Sequence, residues 1–159
     1  MTAEDYFLKI TGIQGESRDA AHKDEIELDS WGWGLSRPTA TGPGSTGKAA
    51  FQEFSALKRV DRSSPRLAQA CLMGEHFKEA VFSARRAEGP NFSIDFLVIR
   101  LSDIMISSYE EAGEAQSAPM DSVDIGFAKI EYAYTSQKTD GTLDAPVRWG
   151  WDLKTNKAA

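Results

Sequence analysis

Apolar and polar residues alternate with period two along most of the chain, which predicts strands. Tyr6, Leu8 and Ile10 alternate in DYFLKI, a short first strand closed by Gly12. A polar stretch, GESRDAAHKDE, leads to ELDSWGWGLS, where the alternation changes phase. Ile26 and Leu28 share one phase; Trp31, Trp33 and Leu35 share the other. One extra residue near Asp29 and Ser30, a β-bulge, returns all five to a single face. That face is expected to be buried, with Gly32 and Gly34 leaving the opposite face almost bare.

RPTATGPGSTGK, rich in Gly, Pro, Ser and Thr, reads as a long loop. AAFQEFSALKRVD fits either period through Ala50, Phe54 and Val60, and its context favours a strand. One helix is predicted in RSSPRLAQACLMGEH: Ser64 as cap, Pro65 at the first helical position, Gly74 as terminator. Leu67, Ala70 and Cys71 form its apolar stripe. FKEAVFSARRA and FSIDFLVIRLSDIMISS read as strands around an EGPN turn. In the second, Phe96 and Val98 face one way and Leu97 and Ile99 the other, so its middle has no solvent side. EEAGEAQSAP reads as an acidic loop carrying Glu110, Glu111 and Glu114, and VDIGFAKIEYAYTSQ as one long strand. In the last strand, VRWGWDLKTN, Val147, Trp149, Trp151 and Leu153 alternate. The sum is a mainly β fold: an antiparallel β-barrel with one short flanking α-helix, its interior filled by Trp31, Trp33, Trp149 and Trp151.

Composition narrows the function classes. The chain has 159 residues, suited to a single domain over 1–159, with 26% charged residues and a net charge of −6. That balance disfavours a nucleic-acid surface, which needs clustered base. A single cysteine, Cys71, permits no internal disulfide. No basic segment followed by an apolar core opens the chain, and no run of 18 apolar residues occurs, so neither a signal peptide nor membrane insertion is expected.

Candidate chemistry is sparse. GPGSTGKA, from Gly42 to Ala49, has the G-x-x-x-x-G-K spacing of a phosphate-binding loop. Ala49 stands where a Mg²⁺-binding hydroxyl belongs, and the loop follows Arg37-Pro38 rather than a buried strand. His22 and His76 are the only histidines, too few for a histidine-rich metal site. No catalytic residue, metal ligand or cofactor site is assigned, and no enzyme is expected. The tryptophans suit a sugar-binding β-module only if exposed on a ridge, whereas their phase with Ile26, Leu28, Val147 and Leu153 places them inside. The phosphate-binding and sugar-binding readings stand as alternatives to a structural one. Gly32, Gly34, Gly126 and the middle of Phe96–Leu101 are apolar or small where water is expected, a pattern of self-association.

DYFLKITGIQGESRDAAHKDEIELDSWGWGLS, SSPRLAQACLMGEHFKEAVFSARRA, IGFAKIEYAYTSQKTDGT and VRWGWDLKTN together resemble the haemolysin-coregulated protein (Hcp) family, in order from Asp5 to Asn156. The resemblance implies a type VI secretion tube protein: a β-barrel protomer forming hexameric rings that stack into a hollow tube. Its implied partners are further copies of itself, sheath and spike proteins, and small effector proteins carried or chaperoned in the lumen. It implies assembly in the bacterial cytoplasm, then release into the medium or a target cell without a signal peptide. No C-terminal toxin extension is expected, since the chain stops at Ala159. The segment Thr39, Ala40, Thr41, Gly42, Pro43, Gly44, Ser45, Thr46 and Gly47 matches the family's ring-stacking loop; Glu110, Glu111 and Glu114 are second contact candidates. Gly32 resembles a lumen-facing position, and Gly34 shares its face.

Overall fold

A computed structural model of the chain describes residues 4–38, 48–89 and 92–159. The strands, in order, are β1 (Glu4–Ile10), β2 (Ile26–Leu28), β3 (Ser30–Ser36) and β4 (Ala50–Arg59). Helix α1 (Ser64–Met73) follows, then β5 (His76–Gly89), β6 (Phe92–Ala112), β7 (Met120–Gly126), β8 (Lys129–Tyr134), β9 (Val147–Asp152) and β10 (Lys157–Ala158). All ladders are antiparallel.

The long strand β6 organises the molecule. One arm runs β2-β1-β5-β6-β8-β9-β10; the other runs from β6 through β7 and β4 to β3. The arms face each other across one core, in which Phe54 of the second arm meets Phe82 of the first at 5.3 Å between ring centroids. Ile26, Phe82, Ile99, Leu101, Ile104, Ile125 and Ile130 are fully enclosed there. The wall is not closed by a continuous ladder, and the fold is mainly β and antiparallel with one short helix, as the sequence predicts. Between β2 and β3 the two arms are joined by the chain itself through Asp29, whose N–H donates to the Leu57 carbonyl at 2.8 Å.

The phase change read in ELDSWGWGLS is this junction: Ile26 and Leu28 are buried in β2, and Trp31 and Trp33 pack against the same core from β3. Leu35 departs from that reading. It is 49% exposed, because β3 outruns the core beyond Trp33. On β4 the inward positions are Phe54, Ala56 and Lys58, rather than Ala50 and Val60.

Helix α1 has the predicted bounds. Gly74 ends it at φ 61, a left-handed conformation that costs glycine little, and its N–H bonds the Ala70 and Cys71 carbonyls. The cap is Ser63, not Ser64, and it makes no side-chain cap bond. Leu67 and Ala70 are buried; Cys71 is half-buried against the core.

Two element assignments change. The run expected as one strand over 123–137 is broken at Phe127 and Ala128 into β7 and β8. Both halves lie along β6, and the break falls opposite Asp103, which stands at φ 50. Glu110 and Glu111 belong to β6, paired with Ser122 and Asp121 of β7; only Glu114 lies in the connecting loop.

Candidate assembly surface

The second arm presents a sheet of four strands, β3-β4-β7 and the C-terminal half of β6, with its back to solvent. Directly paired residues share a face. Ladder register therefore aligns one row, Gly32–Ser55–Asp124–Ser108, across all four strands. A second row reads Ser30–Leu57–Ser122–Glu110. Apart from Leu57 these side chains are small or polar. The Ser55 hydroxyl donates to Asp124 Oδ1 at 2.6 Å, fixing the centre of the first row.

Gly32 and Gly34 lie on this outward face. A Cβ at Gly32 meets no heavy atom within 4 Å, and one at Gly34 comes within 3.1 Å of Gln52 Oε1, the movable end of a side chain. Gly126 is tighter, since its Cβ position lies 2.9 Å from Glu53 Oε2. The face is thus smooth at Gly32 and crowded at Gly126.

Both margins of this sheet lack a strand partner among the described residues. β3 pairs only with β4, and β6 beyond Met105 pairs only with β7, because β5 begins opposite Met105. Three antiparallel ladders separate β3 from β6, so the two margins run in opposite directions.

The tryptophans divide. Trp31 packs on Phe82 at 4.4 Å between centroids, and Trp33, Trp31 and Trp151 are half-buried against the core. Trp149 corrects the expectation of a fourth core indole: it is 39% exposed. It stacks with Tyr132 at 5.6 Å and meets Trp33 at 6.0 Å, plugging the mouth between β3 and β9 where no ladder runs. Trp31, Trp33 and Trp151, packed against the core, offer no exposed platform of the kind sugar binding needs.

Beneath the sheet lies a polar cluster with no counterpart in the sequence reading. Lys58 is 1% exposed and Asp121 is 0% exposed. Lys58 Nζ donates to Asp121 Oδ2 at 2.8 Å, Asp61 Oδ1 at 2.9 Å and Ser64 Oγ at 3.1 Å. Ser64 also donates to Asp121, and the Tyr109 hydroxyl lies 2.9 Å from Asp121 Oδ1 and 2.7 Å from Glu111 Oε2. Burial pushes the Asp121 carboxyl upward, but the bonds from Lys58, Ser64 and Tyr109 and the charge of Lys58 outweigh it and hold it below the usual range. Burial, then the bonds to Glu111 and Asp121, push the Tyr109 phenol up. A lysine late in a strand reads as a solvated end; only the alternation Phe54, Ala56, Lys58 signals that it points inward.

The remaining candidates do not converge. The Thr39–Gly47 segment, named for ring stacking, lies outside the described residues. Lys48 and Ala49 lead directly into strand β4, not into the helix that a phosphate-binding loop requires. His76 opens β5 and bonds Asp103 through Nδ1 at 3.1 Å. His22 is buried instead, stacked on Phe7, with its ring nitrogens 3.0 Å from Glu25 Oε1 and Asp95 Oδ1. Among the described residues no group of three or more His, Cys, Asp or Glu side chains is arranged to hold a metal.

Known proteins share this architecture. Residues 7–134 match the family described as "Type VI secretion system effector, Hcp". The chain is 35% identical over 162 residues to Protein hcp1 of Pseudomonas aeruginosa, covering 99% of each. Hcp1 from Salmonella typhimurium is similar at a TM-score of 0.83 and 30% identity, covering 99% of both chains. A further solved type six secretion system protein gives a TM-score of 0.90 at 26% identity, covering 99% of this chain and 100% of that one. The chain belongs to the Hcp family of type VI secretion tube proteins.

Proposed function

We propose that six copies of this chain close into a ring whose channel is lined by β3, β4, β7 and the C-terminal half of β6. The carrying observation is the pair of unpartnered sheet margins. Unpaired strand edges are templates for another chain. Because β3 and β6 run in opposite directions, β6 of one copy meets β3 of the next in an antiparallel ladder. Each joint repeats the same heterologous contact, which forms a ring when its rotation closes. The smooth row Gly32–Ser55–Asp124–Ser108 then faces the channel, with room for a passenger.

In this reading the protein acts mechanically rather than catalytically. Rings stack into the inner tube, a sheath drives the tube outward behind a spike, and small effector proteins travel in the channel. Stacking is assigned to Thr39–Gly47 on family resemblance, with Glu110, Glu111 and Glu114 as second contact candidates. Assembly takes place in the bacterial cytoplasm before export into the medium or a target cell.

Light scattering coupled to gel filtration, with negative-stain electron microscopy of the same peak, tests the ring. The expected result is a hexamer mass and annular particles with six-fold symmetry. A mass of one chain at every concentration would overturn it.

A further inference from the structure

We propose that Lys58, Asp121, Ser64 and Tyr109 form a latch that sets the register of β6's C-terminal half, and with it the edge offered to the neighbouring chain. This rests on the ring reading above.

The need for such a latch is visible in the sequence of the edge. Beyond Ile106, β6 reads Ser107, Ser108, Tyr109, Glu110, Glu111, Ala112, with no apolar alternation to select one pairing. Register is specified where one face is buried and prone to slip where a strand is polar. The ladder with β7 already shifts register between Ile106 and Ser108, so a slip has a ready starting point. A shift by two residues would keep every side chain on its present face, and packing alone opposes it weakly.

The polar cluster supplies what packing lacks. Tyr109 sits opposite Val123 and reaches diagonally to Asp121, whose other oxygen accepts from Lys58. Lys58, Asp121 and Glu111 form a single row across β4, β7 and β6. Ser64 ties the start of α1 to the same carboxylate. Three strands and the helix are thus fixed to one point, and a two-residue slip would put Tyr109 level with Asp121 and undo it. A buried ion pair adds little net stability over an apolar pair of like volume, and its best-attested use is to specify registry. The three N–H groups of Lys58 Nζ are shared among four acceptors, the fourth the Arg59 carbonyl at 3.0 Å, so the charge is held within the protein. These are positioning residues, acting on the interface through the strand they pin.

Two variants test the latch: Tyr109→Phe, and the apolar pair Lys58→Met with Asp121→Leu. Each is measured for thermal midpoint, for the protein concentration at which rings form, and for amide hydrogen exchange across Ile106–Ala112 in the dilute chain. The expected result is a midpoint near that of the unaltered protein, a ring-forming concentration raised about tenfold or more, and faster exchange in those seven residues. If the double variant does not fold, Tyr109→Phe decides, since it removes one hydroxyl and keeps the ring's apolar contacts. Rings at the unaltered concentration, or unchanged exchange, would overturn the latch. So would a loss of rings matched by an equal loss of midpoint, the mark of a merely structural role. If the unaltered protein forms no rings, the ring reading fails by itself, and exchange alone then decides whether the register is pinned.

Discussion

At Gly32 the chain leaves open space where any other residue would place a Cβ. Its backbone is held by the indoles on either side, Trp31 and Trp33, which pack into the core from the opposite face. A side chain added there projects from the sheet without displacing anything, and surface changes of that kind alter stability by about 0.5 kcal/mol or less. Gly32→Arg is therefore expected to leave the thermal midpoint nearly unchanged while altering retention of a co-expressed small effector protein, read by co-purification. An unfolded variant would show that the glycine faces inward. Gly32 was legible because its neighbours announce their phase. Lys58 was not: nothing within its own strand reports that its partner lies 63 residues away on β7. Trp149 misled for a related reason. It keeps phase with Trp151, but β10 pairs with β9 only at Trp151 and Asp152, so at Trp149 the strand is an edge, where an inward-pointing residue still meets water.

Elements were readable where local pattern decided them and obscure where a neighbouring strand did. The bulge between β2 and β3 is written as a phase change in ELDSWGWGLS, and α1 carries its own proline and glycine signals. The break between β7 and β8 falls opposite Asp103 of the adjoining strand, which takes a positive φ, while DIGFAKIEYAY carries apolar residues on both sides of it. Likewise EEA looks like loop until β7 draws it into a ladder. The same logic identifies the edge most exposed to test. Leu35 lies next to the end of β3, half exposed on an unpartnered margin, a position that soluble proteins usually blunt with charge. Leu35→Lys is expected to preserve the circular dichroism and melting of the single chain and to shift the ring–monomer balance toward monomer in gel filtration. Rings of undiminished population would place the joint elsewhere.

For the molecule as a whole, the response to acid follows from its depressed carboxylates, of which Asp19 and Asp121 join separate parts of the fold beside the likewise lowered Glu75, Asp103 and Asp140. Asp19 is held low chiefly by its hydrogen bond from Arg85, and Asp121 by its bonds from Lys58, Ser64 and Tyr109 against the opposing effect of burial. Asp19 ties the segment before β2 to β5 at 2.6 Å from Arg85, while Asp121 joins β4, β6, β7 and α1. A carboxylate whose folded pKa lies below its unfolded value of about 3.9 contributes stability that is present above that value. The contribution is lost as pH falls through the folded pKa, because the unfolded chain takes up the proton first. Denaturant unfolding should therefore give nearly constant stability from these two groups between neutral pH and about pH 5, then a decline below about pH 4. Asp121→Asn should be less stable than the unaltered protein at neutral pH, since a buried lysine loses its counter-charge, and its decline in acid should be shallower. Equal acid slopes in Asp121→Asn and the unaltered protein would show that the Lys58 cluster does not couple protonation to folding. The Asp19→Asn slope, measured beside it, separates loosening of the β5 side from loosening of the proposed channel wall. The sheet proposed to line the channel is held at the Lys58–Asp121 cluster by buried charge, so acid is expected to release the β6 margin before it dissolves the aromatic core.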